Sequence, residues 1–466
     1  MTIDEVARIV DGRLTQKAAG IEVIAPAFLD SRAAVPGGLF VAVQGEYVDG
    51  HDYAAAAVSA GAAAALLERD VGVPGVIVAN VVEALGLLAH FVISSLPAVR
   101  VVALTGSQGK TTVKDIVAQL LEPAGVTVAP EGSFNNELGV PLTALRASEN
   151  TRFLVVEMGA RGSGHIEYLA SMVRPEIGAV LNVGVAHLGE FGSREAIGAA
   201  KGELVEALPP TGVAVLNADD RHVLAMAGRT DAKVRTFGEA ADADVRVTDI
   251  DLDQLGRVRC TLLADGVEHR VSAPLVGKHQ GANVAAAVTI ALSCGVPFGV
   301  IPNLLAQLMP RSRWRMEVSE TPVGVTVIND AYNANPDSMK AALQTLAELS
   351  HQRGANCRAI AVLGEMRELG GQSEDQHDAI GRLVVRLGID QLIVVGEGAR
   401  SLHQGASLEG SSNSESVWVP DVHAAVASVS NLAEPGDIVL IKASRAEGLE
   451  RVALALLADD ACEAAR

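Results

Sequence analysis

A glycine-rich segment between an apolar run and a helical pattern has the residue types needed to hold a phosphate chain. It reads Thr-Gly-Ser-Gln-Gly-Lys-Thr-Thr over residues 105–112, after the apolar residues 99–104 and before the helical pattern of residues 113–121. Glycines let backbone N–H groups approach phosphate oxygens, and the start of a helix adds positive potential. We predict a nucleotide phosphate site formed by Gly106, Ser107, Gln108, Gly109, Lys110, Thr111 and Thr112, with Lys110 catalytic and Thr111 on a metal ion.

Three ionisable residues further along the chain follow apolar runs of the strand type. Glu157 directly follows residues 153–156, His187 follows residues 177–181, and Lys201 lies in the next helical segment. The carboxyl ends of parallel strands meet at one edge of a sheet, so these side chains are expected near the phosphate loop. Taken singly, a strand-end glutamate is often a solvated charge and a lone histidine is more often structural. Together they are candidates for handling the charge of a triphosphate.

The elements that must position these residues are predicted from the apolar runs themselves. Continuous apolar strands alternating with helices indicate a parallel sheet covered on both faces. We predict an α/β protein of three domains, the first of which is residues 1–97, with short strands at 39–43 and 76–79. The second domain, residues 98–309, is a doubly wound P-loop domain with strands at 99–104, 153–156, 177–181 and 213–216. The third domain, residues 310–466, is a Rossmann-like unit with strands at 325–328, 359–363, 392–395 and 438–441 and a helix at 338–351.

Composition excludes several classes of protein. A net charge of −19 argues against a nucleic-acid binder, although a local site can still be basic. The four cysteines are far apart and form no metal-binding or disulfide framework. Residues 1–12 have the pattern of an amphipathic helix and not of a signal peptide, and the alanine-rich residues 54–67 are too short to span a bilayer. We expect a cytoplasmic protein without membrane insertion.

The spacing inside the glycine-rich loop carries a family resemblance. Gly106 lies three residues before Gly109, which is shorter than the loop of ordinary kinases and GTPases. The form Thr-Gly-Ser-x-Gly-Lys-Thr-Thr resembles that of the Mur ligase family and its folylpolyglutamate synthetase relatives. The resemblance implies ATP as the nucleotide and two Mg²⁺ ions, with Glu157 and His187 as metal ligands, His187 also catalytic, and Lys201 as a carbamylated catalytic lysine.

The adenine side of the site is implied by residues 277–283, Gly-Lys-His-Gln-Gly-Ala-Asn. They are similar to the family's GxHNxxN segment, whose last asparagine lies near adenine. Gln280 stands where an asparagine is usual, so the role is carried over to Asn283 and, with less support, to His279.

The first region resembles the family's UDP-sugar-binding domain. The sets Asp-Ser-Arg at residues 30–32, Pro-Gly-Gly-Leu-Phe at 36–40 and Asp-Gly-His at 49–51 occur together. Arginine can fork onto phosphate oxygens, and serine can donate a hydroxyl bond. The resemblance implies that the UDP-substrate is held by Ser31, Arg32, Asp49, His51, Asn135 and Asn136.

Two segments distinguish branches of the family. Residues 134–141, Phe-Asn-Asn-Glu-Leu-Gly-Val-Pro, replace the threonine-rich segment of the tripeptide-forming branch. Residues 329–339 are similar to the DDxYNANPxSM form of the branch that adds D-alanyl-D-alanine to UDP-muramoyl-tripeptide, with Asn329 in place of the first aspartate. Residues 364–370 and 442–445 also resemble that branch, with Ala443 in place of a usual glycine. This implies amine contacts from Tyr332, Asn333 and Asn335, and ATP contacts from Asp330 and the linker residue Arg315.

The implied activity is an ATP-dependent amide ligase of peptidoglycan precursor synthesis that works through an acyl phosphate, as a monomer. One alternative is a sister ligase that adds a diamino acid to the UDP-muramoyl-dipeptide. A folylpolyglutamate synthetase has no place for the first region. A regulatory P-loop protein that binds nucleotide without ligation would have lost the metal ligands, whereas Glu157, His187 and Lys201 are all present. The last residue of the tripeptide, meso-diaminopimelate or L-lysine, is left open.

Overall fold

The chain folds into successive α/β units, each built around its own sheet. The computed structural model describes residues 1–45, 47–184, 188–354, 357–412 and 415–463. The sheets span residues 13–77, 100–276 and 317–442, and no strand is shared between them in the described residues. The predicted three-domain α/β fold is confirmed, and the domain boundaries drawn between the sheets stay predictions. Within the described chain, no helix is long and apolar enough to cross a bilayer.

The N-terminal unit is a small sheet flanked by helices. Its strand order is β1-β4-β3-β2, with β1 antiparallel to the others. The first helix begins in a capping box, where Thr2 and Glu5 each accept the other's backbone N–H. The elements are α1 (Ile3–Ile9), β1 (Arg13–Leu14), β2 (Leu39–Val41), α2 (Ala54–Ser59), β3 (Ala64–Leu67), β4 (Gly75–Ile77) and α3 (Val81–Ser94).

The central unit is built on a sheet of order β13-β12-β11-β10-β9-β8-β5-β7-β6. The strands from β6 to β11 in this order are parallel, and the buried apolar strands among them explain the continuous runs in the sequence. The elements are β5 (Arg100–Thr105), α4 (Lys110–Leu121), β6 (Thr127–Val128), α5 (Gly139–Ala144), β7 (Phe153–Glu157), α6 (His165–Val173), β8 (Ile177–Val180), α7 (Leu188–Phe191), α8 (Arg194–Glu206), β9 (Val213–Asn217), α9 (Arg221–Leu224), β10 (Lys233–Gly238), β11 (Val245–Leu252), β12 (Arg257–Ala264), β13 (Val267–Val276), α10 (Gln280–Ser293) and α11 (Ile301–Ala306).

An antiparallel extension of this sheet was not predicted. Strands β11, β12 and β13 pair antiparallel and carry polar and charged residues among apolar ones, so they lack continuous apolar runs. Asp265 and Gly266 join β12 to β13 with φ of 49° and 76°. Positive φ at both central residues is the signature of the Asp-Gly hairpin turn, which was the available signal.

The C-terminal unit has strand order β14-β15-β19-β16-β17-β18, parallel except for β14. Its four predicted strands are present, displaced by one residue at most. The last strand in the chain, β19, lies inside the sheet between β15 and β16. The elements are β14 (Glu317–Glu320), β15 (Thr326–Asn329), α12 (Pro336–Arg353), β16 (Ala359–Leu363), α13 (Ser373–Arg386), β17 (Gln391–Val395), α14 (Arg400–Glu409), β18 (Ser416–Val419), α15 (Val422–Leu432), β19 (Ile438–Lys442) and α16 (Glu450–Glu463).

Candidate active site

A cleft of about 780 Å³ lies where the carboxyl ends of the central strands face the C-terminal unit. It is lined by residues from both units, as expected for a ligand site at the ends of parallel strands. The predicted residues in its lining are Ser107, Gln108, Gly109, Lys110, Thr111, Thr112, Asn135, Asn136, Glu157, Asn283, Arg315, Asp330, Tyr332, Asn333 and Asn335. Gly106, Lys201, Ser31, Arg32, Asp49 and His51 are not in the lining, and His187 lies outside the described residues.

The phosphate loop leads directly from β5 into α4. Gly109 has φ of 80°, and a Cβ there would lie 2.6 Å from the side-chain oxygen of Asn283, so the position requires glycine. Lys110 begins the helix, and its Nζ donates to the carbonyl of Gly106 at 2.8 Å. Burial lowers the pKa of Lys110 below its ordinary value. The lysine is therefore held over the loop, at the start of the helix.

The side chain of Asn182 binds two backbone amides of the phosphate loop. Its Oδ1 accepts the N–H of Ser107 at 2.9 Å and of Gln108 at 3.0 Å. The hydroxyl of Ser107 in turn accepts the N–H of Gly184 at 2.8 Å. These two amides are bonded within the protein in this structure, and the phosphate contacts of the loop stay a prediction. Sequence reasoning missed Asn182, although a polar residue just after β8 was a signal for the site edge.

The linker arginine reaches the phosphate loop. Nη2 of Arg315 donates to the hydroxyl of Thr111 at 3.0 Å and to that of Ser133 at 2.8 Å, and the two hydroxyls lie 2.7 Å apart. The guanidinium also stacks on Tyr332, 4.1 Å from the ring centroid. Thr111, the predicted metal ligand, thus shares its hydroxyl with an arginine. Ser133 was not predicted, although it directly precedes the asparagine segment.

Glu157 has the one feature in this cleft that points directly to a cation. It is fully buried at the end of β7, and Asn135 donates to its Oε1 at 2.6 Å. Its Oε2 is buried and has no hydrogen-bond partner among the residues that the structure describes. An unpaired buried carboxylate oxygen is costly, and a divalent ion satisfies it, so the donor set fits Mg²⁺. Within the described chain, no three His, Cys, Asp or Glu side chains form a metal cage, which agrees with the few protein ligands that Mg²⁺ takes.

Lys201 lies on α8, and 4% of it is exposed. Burial, with a smaller contribution from the charge of Lys110, lowers the pKa of Lys201 to about 7. The amine is therefore partly neutral at physiological pH. A neutral lysine amine is a nucleophile, whereas an ordinary surface lysine is almost wholly protonated.

The predicted adenine-side residues form a hydrogen-bonded chain at the start of α10. Nδ2 of Asn283 donates to Gln280 Oε1 at 2.8 Å, and Gln280 Nε2 lies 3.0 Å from His279 Nε2. Burial lowers the pKa of His279 to about 4, so the ring is neutral and Nε2 accepts from the amide. Gln280, the departure from the family pattern, therefore fixes the orientation of the Asn283 amide.

The predicted UDP contacts of the N-terminal unit have partners of their own. Arg32 forks onto Asp30, and its side chain is 88% exposed, so it is accessible to a ligand. Asp49 accepts from His51 at 2.6 Å and pairs with Arg69 at 2.7 Å. The buried His51 accepts the N–H of Glu68 through Nε2 at 2.9 Å. Both ring nitrogens of His51 are therefore bonded within the unit, and its contact with UDP stays a prediction.

The asparagine loop before α12 is partly committed to local structure. Oδ1 of Asn335 caps the helix by accepting the N–H of Ser338 at 2.8 Å, and Asn333 accepts the N–H of Ala334 at 2.9 Å. Asp330 accepts from Lys442 at 2.5 Å and from the backbone of Met316 at 3.0 Å. Sequence reasoning quoted Lys442 in a motif but gave it no role, because its partner is 112 residues away.

The fold and the cleft define a nucleotide-binding α/β protein whose candidate active site lies between the central and the C-terminal unit. Three family descriptions match the chain: "Mur ligase family, catalytic domain" over residues 27–93, "Mur ligase middle domain" over 104–291 and "Mur ligase, glutamate ligase domain" over 314–445. A UDP-N-acetylmuramoyl-tripeptide--D-alanyl-D-alanine ligase of Mycobacterium tuberculosis is 46% identical, covering 100% of this chain and 99% of the relative. The protein of the same name from Escherichia coli is 34% identical, covering 99% of each. The chain belongs to the Mur ligase family.

Solved structures agree with these sequence relatives. A MurF structure from Acinetobacter baumannii superposes with a TM-score of 0.86 at 30% identity and covers 98% of both chains. A MurF ligase from Thermotoga maritima in complex with ADP superposes with a TM-score of 0.79 at 28% identity, covering 95% of this chain and 99% of that one. The predicted family is confirmed.

Proposed function

We propose that the chain is an ATP-dependent ligase that joins D-alanyl-D-alanine to UDP-N-acetylmuramoyl-tripeptide in peptidoglycan precursor synthesis. The observation that carries the proposal is a single cleft that holds the phosphate loop, Glu157 with its unpaired oxygen, and the asparagine loop. The full-length relatives of this name support the choice of substrates. ATP use is supported by the similar ligase solved with ADP.

The first step is the activation of the tripeptide carboxylate. The carboxylate oxygen attacks the γ-phosphorus of ATP, the bond to the β-phosphate oxygen breaks, and an acyl phosphate and ADP result. Lys110 binds the phosphoryl group, and Arg315 lies close enough to Thr111 to hold the nucleotide from the C-terminal side. The phosphate becomes the leaving group that a free carboxylate lacks.

The second step forms the amide. The neutral amine of D-alanyl-D-alanine attacks the activated carbonyl, the carbonyl C–O bond to the phosphoryl group breaks, and inorganic phosphate leaves with the proton that the nitrogen loses. Tyr332, Asn333 and Asn335 lie in the same cleft wall and hold the dipeptide, while Asn135 and Asn136 face it from the central unit. Closure of the C-terminal unit keeps water from hydrolysing the acyl phosphate. Positioning and charge neutralisation are thus the main work of the protein.

Two Mg²⁺ ions are proposed to be held by Glu157 and Thr111. His187, which lies outside the described residues, is the third proposed ligand. Bound Mg²⁺ supplies positive charge between the carboxylate and the triphosphate. Lys201 is proposed to carry a carbamate, since an amine with a pKa of about 7 reacts with CO₂ at neutral pH. Asn283, Asp330 and the loop residues 106–112 complete the ATP site. The UDP part of the substrate is proposed to be held by Ser31, Arg32, Asp49 and His51. The enzyme is proposed to act as a cytoplasmic monomer.

The deciding experiment measures ADP release by the purified protein with matched substrates. UDP-muramoyl-tripeptides ending in meso-diaminopimelate or L-lysine are each supplied with and without D-alanyl-D-alanine, and products are identified by mass spectrometry. We expect ADP release that requires both co-substrates and a UDP-muramoyl-pentapeptide product. UDP-muramoyl-dipeptide with a free diamino acid is the control for a sister ligase. Ligation there, with none of D-alanyl-D-alanine, would overturn the proposal.

A further inference from the structure

A buried ion pair in the C-terminal unit fixes the backbone of the interdomain linker. Nζ of Lys442 lies 2.5 Å from Oδ2 of Asp330 and donates to the carbonyl of Asn333 at 2.8 Å. Lys442 is 2% exposed and Asp330 is 8% exposed. The other oxygen of Asp330 accepts the backbone N–H of Met316 at 3.0 Å. The end of β19 is thereby joined through Asp330 to the linker.

The linker conformation at this point is unusual. Trp314 and Met316 have φ of 58° and 51°, in the left-handed region that bulky side chains rarely adopt. Trp314 is held at its backbone and at its ring: its N–H donates to Oε2 of Glu317 at 3.1 Å, its carbonyl accepts the N–H of Tyr332 at 3.3 Å, and the guanidinium of Arg445 lies 4.3 Å from its ring centroid. Such backbone persists only where surrounding groups over-determine it.

Arg315 lies between the two left-handed residues and reaches out of the C-terminal unit. It donates to Thr111 and Ser133 on the phosphate-loop side. Its Nε is buried and has no hydrogen-bond partner within the described part of the chain, so the side chain is placed by its backbone as much as by its own bonds. A change in φ at Met316 would therefore carry the guanidinium away from Thr111.

We infer that Lys442 is a positioning residue that holds Arg315 against the phosphate loop through Asp330 and the backbone of Met316. This inference rests on the proposed function, because it assigns Arg315 to the ATP site. Lys442 lies in the cleft lining, and its ammonium is bonded to Asp330 and to the carbonyl of Asn333. It neutralises Asp330 and orients it, and the oriented carboxylate keeps the linker in its left-handed form.

A purely structural role makes a different prediction. Buried ion pairs often add little net stability, because desolvation offsets their attraction. Arg358 and Asp437 form a second ion pair in the same unit, 2.6 Å apart, in which the Arg358 side chain is 32% exposed and that of Asp437 is 2% exposed, and neither residue lines the cleft. Disrupting that pair measures what loss of an ion pair does to the unit without the linker.

The test is a double-mutant cycle between Lys442 and Arg315. kcat and KM for ATP are measured for Lys442→Met, Arg315→Ala and both together, with the other substrates saturating. We expect Lys442→Met to lower kcat/KM for ATP by about 10- to 100-fold in the parent, as small misplacements of catalytic groups do. In the Arg315→Ala background the same change lowers it less than about twofold, because the residue it positions is gone. Arg358→Met has the same small effect in both backgrounds.

Losses that multiply would overturn the inference, as would a Lys442→Met enzyme with normal kcat/KM. If Lys442→Met fails to fold, the cycle is repeated with Asp330→Asn and Lys442→Met combined, which leaves no unpaired buried charge. Failure of that variant to fold assigns the pair to stability and also overturns the inference. A parent protein without ADP release dependent on both co-substrates instead defeats the proposed function.

Discussion

The carboxamide of Asn135 donates a 2.6 Å hydrogen bond to one carboxylate oxygen of Glu157, while the other oxygen is buried and has no partner in the described residues. An amide that orients a ligand carboxylate in this way tunes metal affinity from outside the coordination sphere. The segment that carries Asn135 also carries Ser133, and the fully buried Lys114 donates to the carbonyls of Pro130 and Gly132 just before it. The orientation of the Glu157 carboxylate is therefore set by the segment that carries Ser133 and Asn135.

Asn135→Ala is expected to raise the Mg²⁺ concentration for half-maximal ADP release by about 10- to 100-fold. The reason is that Glu157 loses the donor that fixes its rotamer. A Mg²⁺ titration at saturating ATP measures the effect. Asn136→Ala is the neighbouring control, because its Oδ1 accepts the N–H of Gly139 and has no contact with Glu157. Equal Mg²⁺ dependence in the two variants would show that Asn135 does not orient the metal ligand.

Lys110→Ala is expected to abolish ligation, with at least about a 100-fold loss of kcat, while the fold is kept. The change removes the side-chain cation of the phosphate loop, whose ammonium makes a 2.8 Å bond to the Gly106 carbonyl. Circular dichroism and a thermal melt establish folding, and coupled ADP release measures turnover. Near-normal turnover in a folded variant would contradict the phosphate-loop assignment.

Lys201→Ala is expected to lose most activity and to regain part of it with formate or acetate. A short carboxylic acid can supply the anion that the carbamate provides at this position. ADP release is followed with increasing acid, and sodium chloride at equal ionic strength is the control. Mass spectrometry of the parent under CO₂ should show the added carboxyl group. Full activity with a free ammonium at Lys201 would refute carbamylation.

Lys201→Met is expected to raise the melting temperature at pH 6 more than at pH 9. The pKa of about 7 lies below the ordinary 10.5, so the folded state disfavours the proton. The cost of burying the charge is fully present below pH 7 and falls as the pH rises towards 10.5. Melts in CO₂-free buffer without Mg²⁺ isolate this term. An equal shift at both pH values would argue that Lys201 is not destabilised by its charge.

Asn333→Ala and Asn335→Ala are expected to raise the KM for D-alanyl-D-alanine far more than that for ATP. Loss of a hydrogen bond that leaves a buried partner unpaired costs about 1–3 kcal/mol, or roughly 5- to 150-fold in affinity. Because Asn335 also caps α12, Asn335→Asp is the matched variant that keeps the cap and removes the amide N–H₂. If ATP and the dipeptide weaken equally, the loop organises closure and does not recognise the amine.

The parallel strands and the phosphate loop could be predicted because their signals are local. Strands buried on both faces are continuously apolar, and the loop's glycines and lysine stand within eight residues of one another. The hairpins β11 to β13 were not predicted, because alternating apolar and polar residues are a weaker signal for a strand than a continuous apolar run. The Asp-Gly turn was not used as a signal either. Glu157 was predicted as a metal ligand, Asn135 as a UDP-substrate contact and Arg315 as an ATP contact, and all three line the cleft.

Contacts between distant segments could not be predicted in the same way. Asn182 accepts the N–H groups of two phosphate-loop residues more than 70 positions earlier, and Lys442 pairs with an aspartate 112 residues earlier. Asn335 was predicted to contact the amine substrate, and in the structure its side-chain oxygen accepts the N–H of Ser338 and caps α12. Partner choice of this kind depends on which strands become neighbours, and the order of the C-terminal sheet does not follow the order of the chain.

The inner position of β19 has a consequence for how this protein is made. On the ribosome, β15 and β16 emerge well before residues 438–442, yet the strand that joins them is the last of the sheet to be synthesised. Lys442 comes with that strand, so a nascent or prematurely terminated chain has an Asp330 without its cation. Such a chain lacks the linker anchor, so Arg315 can be held against the phosphate loop in this way only after β19 has been synthesised.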